Sequence, residues 1–549
     1  MNARNQHRTG VLVISAVAVL IAVALFATAA WRMISFYRSF TQAGAGTQDA
    51  PASAPASTEP LIASSIEDYY GQQIQWRPCT ESEVTPDVLE PPADMAPYQC
   101  ATVTAPLDWN DPAGEQIQLA VAVHRNGAED APALFYNLGG PGGNAVKSLS
   151  YQVGDSLGAA LLDAYDIVAV DPRGVGASTP VKCMNDEELD DYNTGEEHVD
   201  TDMTAAETIA EYQETTREIA EGCQKYTGDL FKHVDTVSAA KDFDMMRALL
   251  GQERLNYLGY SYGTFLGATY ADLFPGNVGR MVLDGAIDPS LTVNEISDLQ
   301  MKGFDESVRH WVEDCQAGSK CPLTGTVDDG VATLRAFLER LGQQPLPTAD
   351  PERPLTQNLA LTAVVGMMYS TDNYSLLTQA MSQALGDNDG SQMLVLADYL
   401  NDRNQDGSYS SNGTDALMAI NNLDYEPAGT PEQWEADAAR LRSELDVMGL
   451  FAGYSSAGLD QWPTTHAVRA PIRAEGAASP IVVVGTTHDP ATPYVMAQSL
   501  ASQLATGVLV TSEGWDHTAY SKSASECVVG AVEGYLVDGT APQDGLSCK

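Results

Sequence analysis

Apolar residues follow three patterns along the chain, and each predicts a different kind of element. Near the start, residues 11–30 run without a charge. At about 1.5 Å per residue, a helical run of that length spans the roughly 30 Å hydrocarbon core of a bilayer. Further on, short apolar runs lie between turn residues. Ala101-Thr102-Val103 and residues 117–123 flank Asn110-Asp111-Pro112-Ala113-Gly114 and predict an antiparallel pair. Residues 133–138, 165–170, 255–258, 280–285, 480–485 and 507–510 are dominated by apolar side chains, which predicts buried strands. The third pattern is helical, in residues 237–250, 264–274 and 495–504. Strands alternating with helices predict an α/β chain with a mostly parallel sheet. Between about residues 289 and 475 the strand pattern stops, and helices are expected at 331–341, 376–385, 392–399 and 432–450.

At 549 residues the chain exceeds the usual size of one core. We therefore divide it into residues 1–10 (cytoplasmic), 11–30 (membrane anchor or signal peptide), 31–65 (linker), 66–288 and 476–549 (two parts of one core), and 289–475 (a helical lid). Ala27-Thr28-Ala29 resembles a cleavage site, whereas Trp31 and Arg32 follow the run as an interfacial anchor would. Either way the bulk of the chain is expected outside the cytoplasm, tethered to the membrane or secreted. The linker is rich in Ala, Pro, Ser, Gly and Thr and cannot bury a core.

Charge narrows the partners. Lys and Arg total 29 against 74 Asp and Glu, a formal net charge of −45. Phosphate binding needs clustered cations, so nucleic acid is excluded as a partner. The acid excess suits a solvated surface, or a cleft that draws in a cationic substrate end. Cys79, Cys100, Cys183, Cys223, Cys315, Cys321, Cys527 and Cys548 show neither a C-x-x-C nor a histidine at zinc spacing, so no metal site is expected. An even number beyond an export signal suggests disulfides, and pairing each cysteine with its sequence neighbour closes four local loops.

The chemistry centres on Gly259-Tyr260-Ser261-Tyr262-Gly263, between a predicted strand and a predicted helix. A small-x-Ser-x-small turn in that context is a nucleophile elbow, which holds the hydroxyl clear of the backbone at a helix N-terminus. About 120 residues earlier, Gly139-Gly140-Pro141-Gly142-Gly143 follows a strand, and its peptide N–H groups can approach a reacting oxygen closely. It lacks the Gly-Lys-Ser/Thr ending of a phosphate loop. Downstream, Asp489 and His517 follow strands, so chain order is Ser, Asp, His. Asp489 could instead cap the helix opening at Thr492-Pro493, and Asp284 or Asp288 could be the acid. His488 shares the acid's own loop and is a poor candidate base. Asp171-Pro172-Arg173-Gly174 reads as structural. The run from Asp402 to Asp406 opens like a calcium loop, but Gly413 stands where its bidentate Glu belongs, so an acidic turn is the reading.

These motifs, with Val282-Leu283-Asp284-Gly285 and Asp489-Pro490-Ala491-Thr492-Pro493-Tyr494, resemble the actinobacterial tripeptidyl aminopeptidase family, exported serine peptidases related to proline iminopeptidases. The resemblance covers roughly residues 79–549 and implies the α/β-hydrolase fold, its lid inserted between core strands six and seven. Leu138 stands where proline iminopeptidases carry His. The resemblance further implies that Ser261 attacks, His517 moves the proton and Asp489 orients His517, with the backbone N–H groups of Gly140 and Tyr262 binding the oxyanion and no cofactor. Peptides with a free N-terminus are the implied substrates, which calls for a carboxylate facing the ammonium; Asp305, Glu306, Asp314 and Asp424 are among the lid's candidates. A carboxylesterase or lipase using the same triad is the alternative.

Overall fold

In the computed structural model, residues 61, 63–87, 89–195, 203–464 and 469–549 are described. Residues 1–60 lie outside them, and with them the anchor and most of the linker. No helix among the described residues is long and apolar enough to cross a membrane.

The apolar runs become strands of one sheet: β1 (Arg77–Pro78), β2 (Tyr98–Pro106), β3 (Gln116–His124), β4 (Ala133–Asn137), β5 (Asp166–Val170), β6 (Leu255–Tyr260), β7 (Val278–Asp284), β8 (Ile481–Thr486), β9 (Gly507–Ser512) and β10 (Leu546–Cys548). Their order is β1-β2-β3-β5-β4-β6-β7-β8-β9-β10. The first three strands and the β3–β5 pair are antiparallel, and from β5 to β10 every pair is parallel. Parallel strands need helical crossovers, and the sheet is covered on both faces accordingly. Phe135, Val168, Tyr257 and Leu283 enter one core, while Leu134, Tyr136, Ile167, Leu258 and Val282 enter the other. The two-residue side-chain period of a strand explains this division. β6 lies centrally, with Leu258 opposite both Tyr136 of β4 and Val282 of β7.

Between β7 and β8 stands the helical insertion. Its helices include Val293–Ala317, Val327–Gln343, Gln357–Met367, Tyr374–Gly386, Ser391–Leu400, Gly413–Asp424 and Pro431–Glu444. Most bury their apolar stripes in a core of their own around Phe304, Trp311, Leu338 and Met367. Gly413–Asp424 does not: Ala416, Ala419, Ile420 and Leu423 join the main core. Helical periodicity shows that a face is buried but not against what, so residues 289–475 are less separate than their sequence pattern implies. The expected helix over 432–450 ends at Glu444 and resumes as a 3₁₀ turn, Met448–Phe451.

Four disulfides form, Cys79–Cys100, Cys183–Cys223, Cys315–Cys321 and Cys527–Cys548. Such bonds persist in oxidising compartments and point to a protein outside the cytoplasm. The last one fastens helix Glu526–Asp538 to β10, the edge strand.

The Asp171-Pro172-Arg173-Gly174 loop owes its structural role to one buried ion pair. Arg173 Nε and Nη2 lie 2.7 Å from the two oxygens of Asp242, and both side chains are almost wholly buried. Arg173 also donates to the carbonyls of Leu107, His233 and Pro106, and Asp242 accepts from Trp109 Nε1. Removing one member strands a buried charge, at a cost of about 3–5 kcal/mol. Arg173→Leu is expected to lower the free energy of unfolding by that amount, and adding Asp242→Leu is expected to restore much of it. Equal losses in the single and double variants, read from denaturant titrations, contradict this account.

Candidate active site

β6 runs straight into a turn at Ser261, whose φ of 54° and ψ of −123° lie outside ordinary strand and helix space. Non-glycine residues hold such a conformation only where neighbours enforce it. Here the neighbours are backbones in close approach. A Cβ on Gly259 would meet the Gly263 carbonyl at 2.5 Å, and one on Gly263 would meet the Asn137 carbonyl at 2.7 Å. Ser261 N–H donates to the Asp284 carbonyl (2.9 Å), and its own carbonyl accepts from Thr264 N–H (2.8 Å) and Oγ1 (2.6 Å). Ser261 thus stands at the N-terminus of helix Tyr262–Leu273, where the dipole favours negative charge.

The glycine loop after β4 lies against this turn. Gly139 has φ of 98°, and a Cβ there would come within 2.6 Å of the Tyr260 carbonyl and 3.2 Å of Tyr262 N. Asn137 Oδ1 accepts from Gly139 N–H at 3.0 Å. Gly140 lines the same cavity as Ser261, and Tyr262 is the first residue of the helix. The Tyr262 side chain turns inward to Thr236 Oγ1 and leaves its backbone at the turn.

Asp489 and His517 come together at the ends of β8 and β9. His517 Nδ1 is 2.8 Å from Asp489 Oδ1 and 3.0 Å from Oδ2, with both side chains buried. Asp489 Oδ1 also accepts from the backbone of Ala491 and Thr492, and Oδ2 from Thr492 Oγ1 and Thr518 N–H. The capping and histidine-pairing readings therefore hold together: the cap fixes the carboxylate that meets the imidazole. His517 N–H donates to the Tyr369 carbonyl (2.8 Å), and the Tyr369 ring stands edge-on to the imidazole at 5.2 Å. Ser261, Gly140 and His517 all line one cavity of about 260 Å³.

A family model for the alpha/beta hydrolase fold matches residues 132–522. The chain belongs to the α/β-hydrolase family. Among its relatives, serine protease Hip1 of Mycobacterium tuberculosis is 34% identical over 494 residues, covering 87% of this chain and 91% of that one. Carboxylesterase B of Mycobacterium tuberculosis is 34% identical over 508 residues, covering 90% and 95%. The tripeptidyl aminopeptidase of Streptomyces lividans is 29% identical over 474 residues, covering 82% and 84%.

Within this α/β-hydrolase frame, the other candidates are placed elsewhere. Asp284 accepts from Ala519 and Tyr520 N–H, holding the loop behind His517, and burial pushes its carboxyl up to about 6. Asp288 faces Ser290 and Gln503. His488 Nδ1 lies 3.0 Å from Glu306, and its ring stacks on Trp515, whose other face carries His310. Asp305 accepts from the N–H groups of residues 446–448, and Asp424 from Thr236. None of the four lid carboxylates named from sequence, Asp314 included, lines the cavity; Asp372 and Asp516 do. Asp372 adjoins no sequence motif, so only its position after folding reveals it. In the Asp402 to Asp406 turn, the carboxylates accept from Ser411 and Ser408 hydroxyls.

Three buried carboxyls stand behind these loops. Burial pushes Asp171, Asp415 and Asp424 up to about 7, against the pull of backbone N–H donors at Val146, Cys183 and Thr236 among others. Their folded values exceed the unfolded value of about 4, so the folded chain retains protons that the unfolded chain has released. The stability they contribute is complete below the unfolded value and is lost as pH rises through about 7. We expect a lower thermal midpoint at about pH 8.5 than at about pH 6.5, and a flatter dependence in Asp171→Asn. Scanning fluorimetry across that interval checks it, and a midpoint that stays level or rises contradicts it.

Proposed function

We propose that this protein is an exported serine exopeptidase that releases short peptides from free N-termini. The observation that carries the reading is the Asp489–His517 pair at 2.8 Å, with His517 lining the same cavity as Ser261, to which the insertion contributes Tyr369, Ser370 and Asp372. A cavity walled on one side by an insertion favours chain ends over the middle of folded chains. The names of two relatives, a serine protease and a tripeptidyl aminopeptidase, support peptide bonds as the target.

The mechanism follows from the side chains. Ser261 Oγ adds to the scissile carbonyl as His517 takes its proton. Asp489, held by Thr492 and Thr518, keeps the Nδ1 proton facing it and stabilises the imidazolium. The carbonyl oxygen, now negative, accepts from the N–H groups of Tyr262 and Gly140. His517 gives the proton to the leaving amine, the C–N bond breaks, and an acyl-Ser261 ester remains. Water then adds by the same route and frees the peptide acid. Loss of one oxyanion donor typically costs about 100- to 1,000-fold in rate.

The second reading, a carboxylesterase, has its own support in the equally similar relative named for that activity. Chromogenic mono-, di- and tripeptide anilides, with free and acetylated N-termini, and short acyl esters separate the two. We expect turnover of free-amine peptides, and a fall in kcat of about 10⁶-fold in Ser261→Ala. Hydrolysis of esters alone, or peptide turnover that survives Ser261→Ala, defeats the proposal. Export is part of the same reading, through residues 11–30, as an anchor or as a signal removed after Ala27-Thr28-Ala29. The N-terminal residue of protein recovered from outside the cytoplasm decides between them: Met1 or Asn2 marks an anchor, a start near residue 30 a signal peptide, and recovery only from cytosol refutes export.

A further inference from the structure

The cavity beside Ser261 is unbalanced in its polar groups. Among the described residues two carboxylates line it, Asp372 and Asp516, and neither a lysine nor an arginine does. Asp372 belongs to the insertion, in the turn Thr371–Asn373, whereas Asp516 immediately precedes His517 after β9. Thr371 draws the two loops together, donating to Asp516 Oδ1 from its backbone N–H (2.7 Å) and its hydroxyl (3.1 Å). Partial burial and the neighbouring Asp516 charge hold the Asp372 carboxyl above its usual range. Elsewhere in the lining, Gln152 is only 1% exposed, and its Oε1 has no hydrogen-bond partner. Buried acceptors are almost always paired, so an orphan in a cavity wall marks where a ligand donor belongs.

Three acceptors from three separate segments, two of them carboxylates, suit a cationic group with several N–H donors. An ammonium carries three. We propose that Asp372, Asp516 and Gln152 Oε1 form the subsite that receives the substrate's free α-ammonium. The subsite shares the cavity of Ser261, so the bound N-terminus sets which carbonyl reaches the nucleophile. Such an ammonium relieves the repulsion between the two carboxylates and supplies the donor that Gln152 lacks. This assignment rests on the peptidase reading above.

The test uses the full-length protein and one peptide anilide in three forms: free amine, N-acetylated, and N-acetylated with lysine as its first residue. A short acyl ester is the fourth substrate. The quantity read is the ratio of kcat/KM for the free amine to that for the acetylated peptide, in the parent and in Asp372→Asn, Asp516→Asn and Gln152→Leu. Asp372 stands at the exposed rim, so its substitution disturbs no core packing. A hydrogen bond to a charged group accounts for about tenfold to hundredfold in binding, and Asp372→Asn should lower the ratio by that factor, mainly through KM. The other two variants should lower it as well. A ratio unchanged within about twofold in all three variants overturns the assignment while leaving an aminopeptidase. Equal turnover of the acetylated lysine peptide and the free amine also overturns it, because the subsite then takes a side-chain ammonium. A parent that cleaves only the ester overturns the peptidase reading itself, and this subsite with it.

Discussion

The whole site depends on how closely three backbones approach one another at the end of β6. Ser261 occupies its unusual conformation because Gly259 and Gly263 let the turn close and Gly139 lets the neighbouring loop lie against it. A side chain at any of these positions would collide with backbone at less than 3 Å. The tight turn places the hydroxyl at a helix N-terminus and brings the glycine loop beside Tyr262 N. Strand order then does the rest. β4 and β7 flank β6, and β8 and β9 follow, so the loops bearing the glycines, the serine, the acid and the histidine emerge at one edge of the sheet. Parallel pairing enforces this, since every such strand ends on the same side.

The insertion is fastened to the loops that carry the glycines, Asp489 and His517. A Cβ on Gly142 would lie 2.7 Å from the Gly413 carbonyl, and one on Gly303 would lie 2.7 Å from the Pro490 carbonyl. Gln300 donates to Ala491, Tyr369 accepts from His517, and Thr371 donates to Asp516. Asn412 bridges Gly174, Gly176 and Val181. A roof attached only by its two chain ends could swing as a body. This one shares hydrogen bonds with the loops of Asp489 and His517, so moving it disturbs the groups beside it. The insertion is better regarded as one wall of the site than as a door over it.

Charge is handled differently inside and out. Most of the acidic excess is solvated, where repulsion is screened. The buried carboxylates instead serve as acceptors for backbone N–H groups at loop junctions: Asp171 behind the glycine loop, Asp284 behind His517, Asp424 beneath Tyr262. Their raised values show what this use costs, since burial penalises the ionised form. Among the described residues Arg173 is the exception, a buried cation among these acids, paired with Asp242.

Local sequence was sufficient wherever a feature depends on neighbours along the chain. The apolar runs marked the parallel strands, because burial on both faces leaves few polar positions. The small residues around Ser261 marked the turn, because only they fit its contacts. Chain order offered Asp489 and His517, with Asp284 and Asp288 as other acids, and sequence proximity paired the cysteines. Other features required the fold. Nothing in residues 413–424 tells that this helix joins the main core, since amphipathicity gives a buried face but no partner. The closing helix and edge strand near the C-terminus, and the short β1, carried too little pattern to be seen. Asp372 and Asp516 are 144 residues apart and acidic like many others in the chain. The sequence therefore determined that an acid-rich α/β chain would present a serine, an acid and a histidine at strand ends. Tertiary structure alone decided which carboxylates face the cavity, because that depends on distances between segments that the order of residues does not contain.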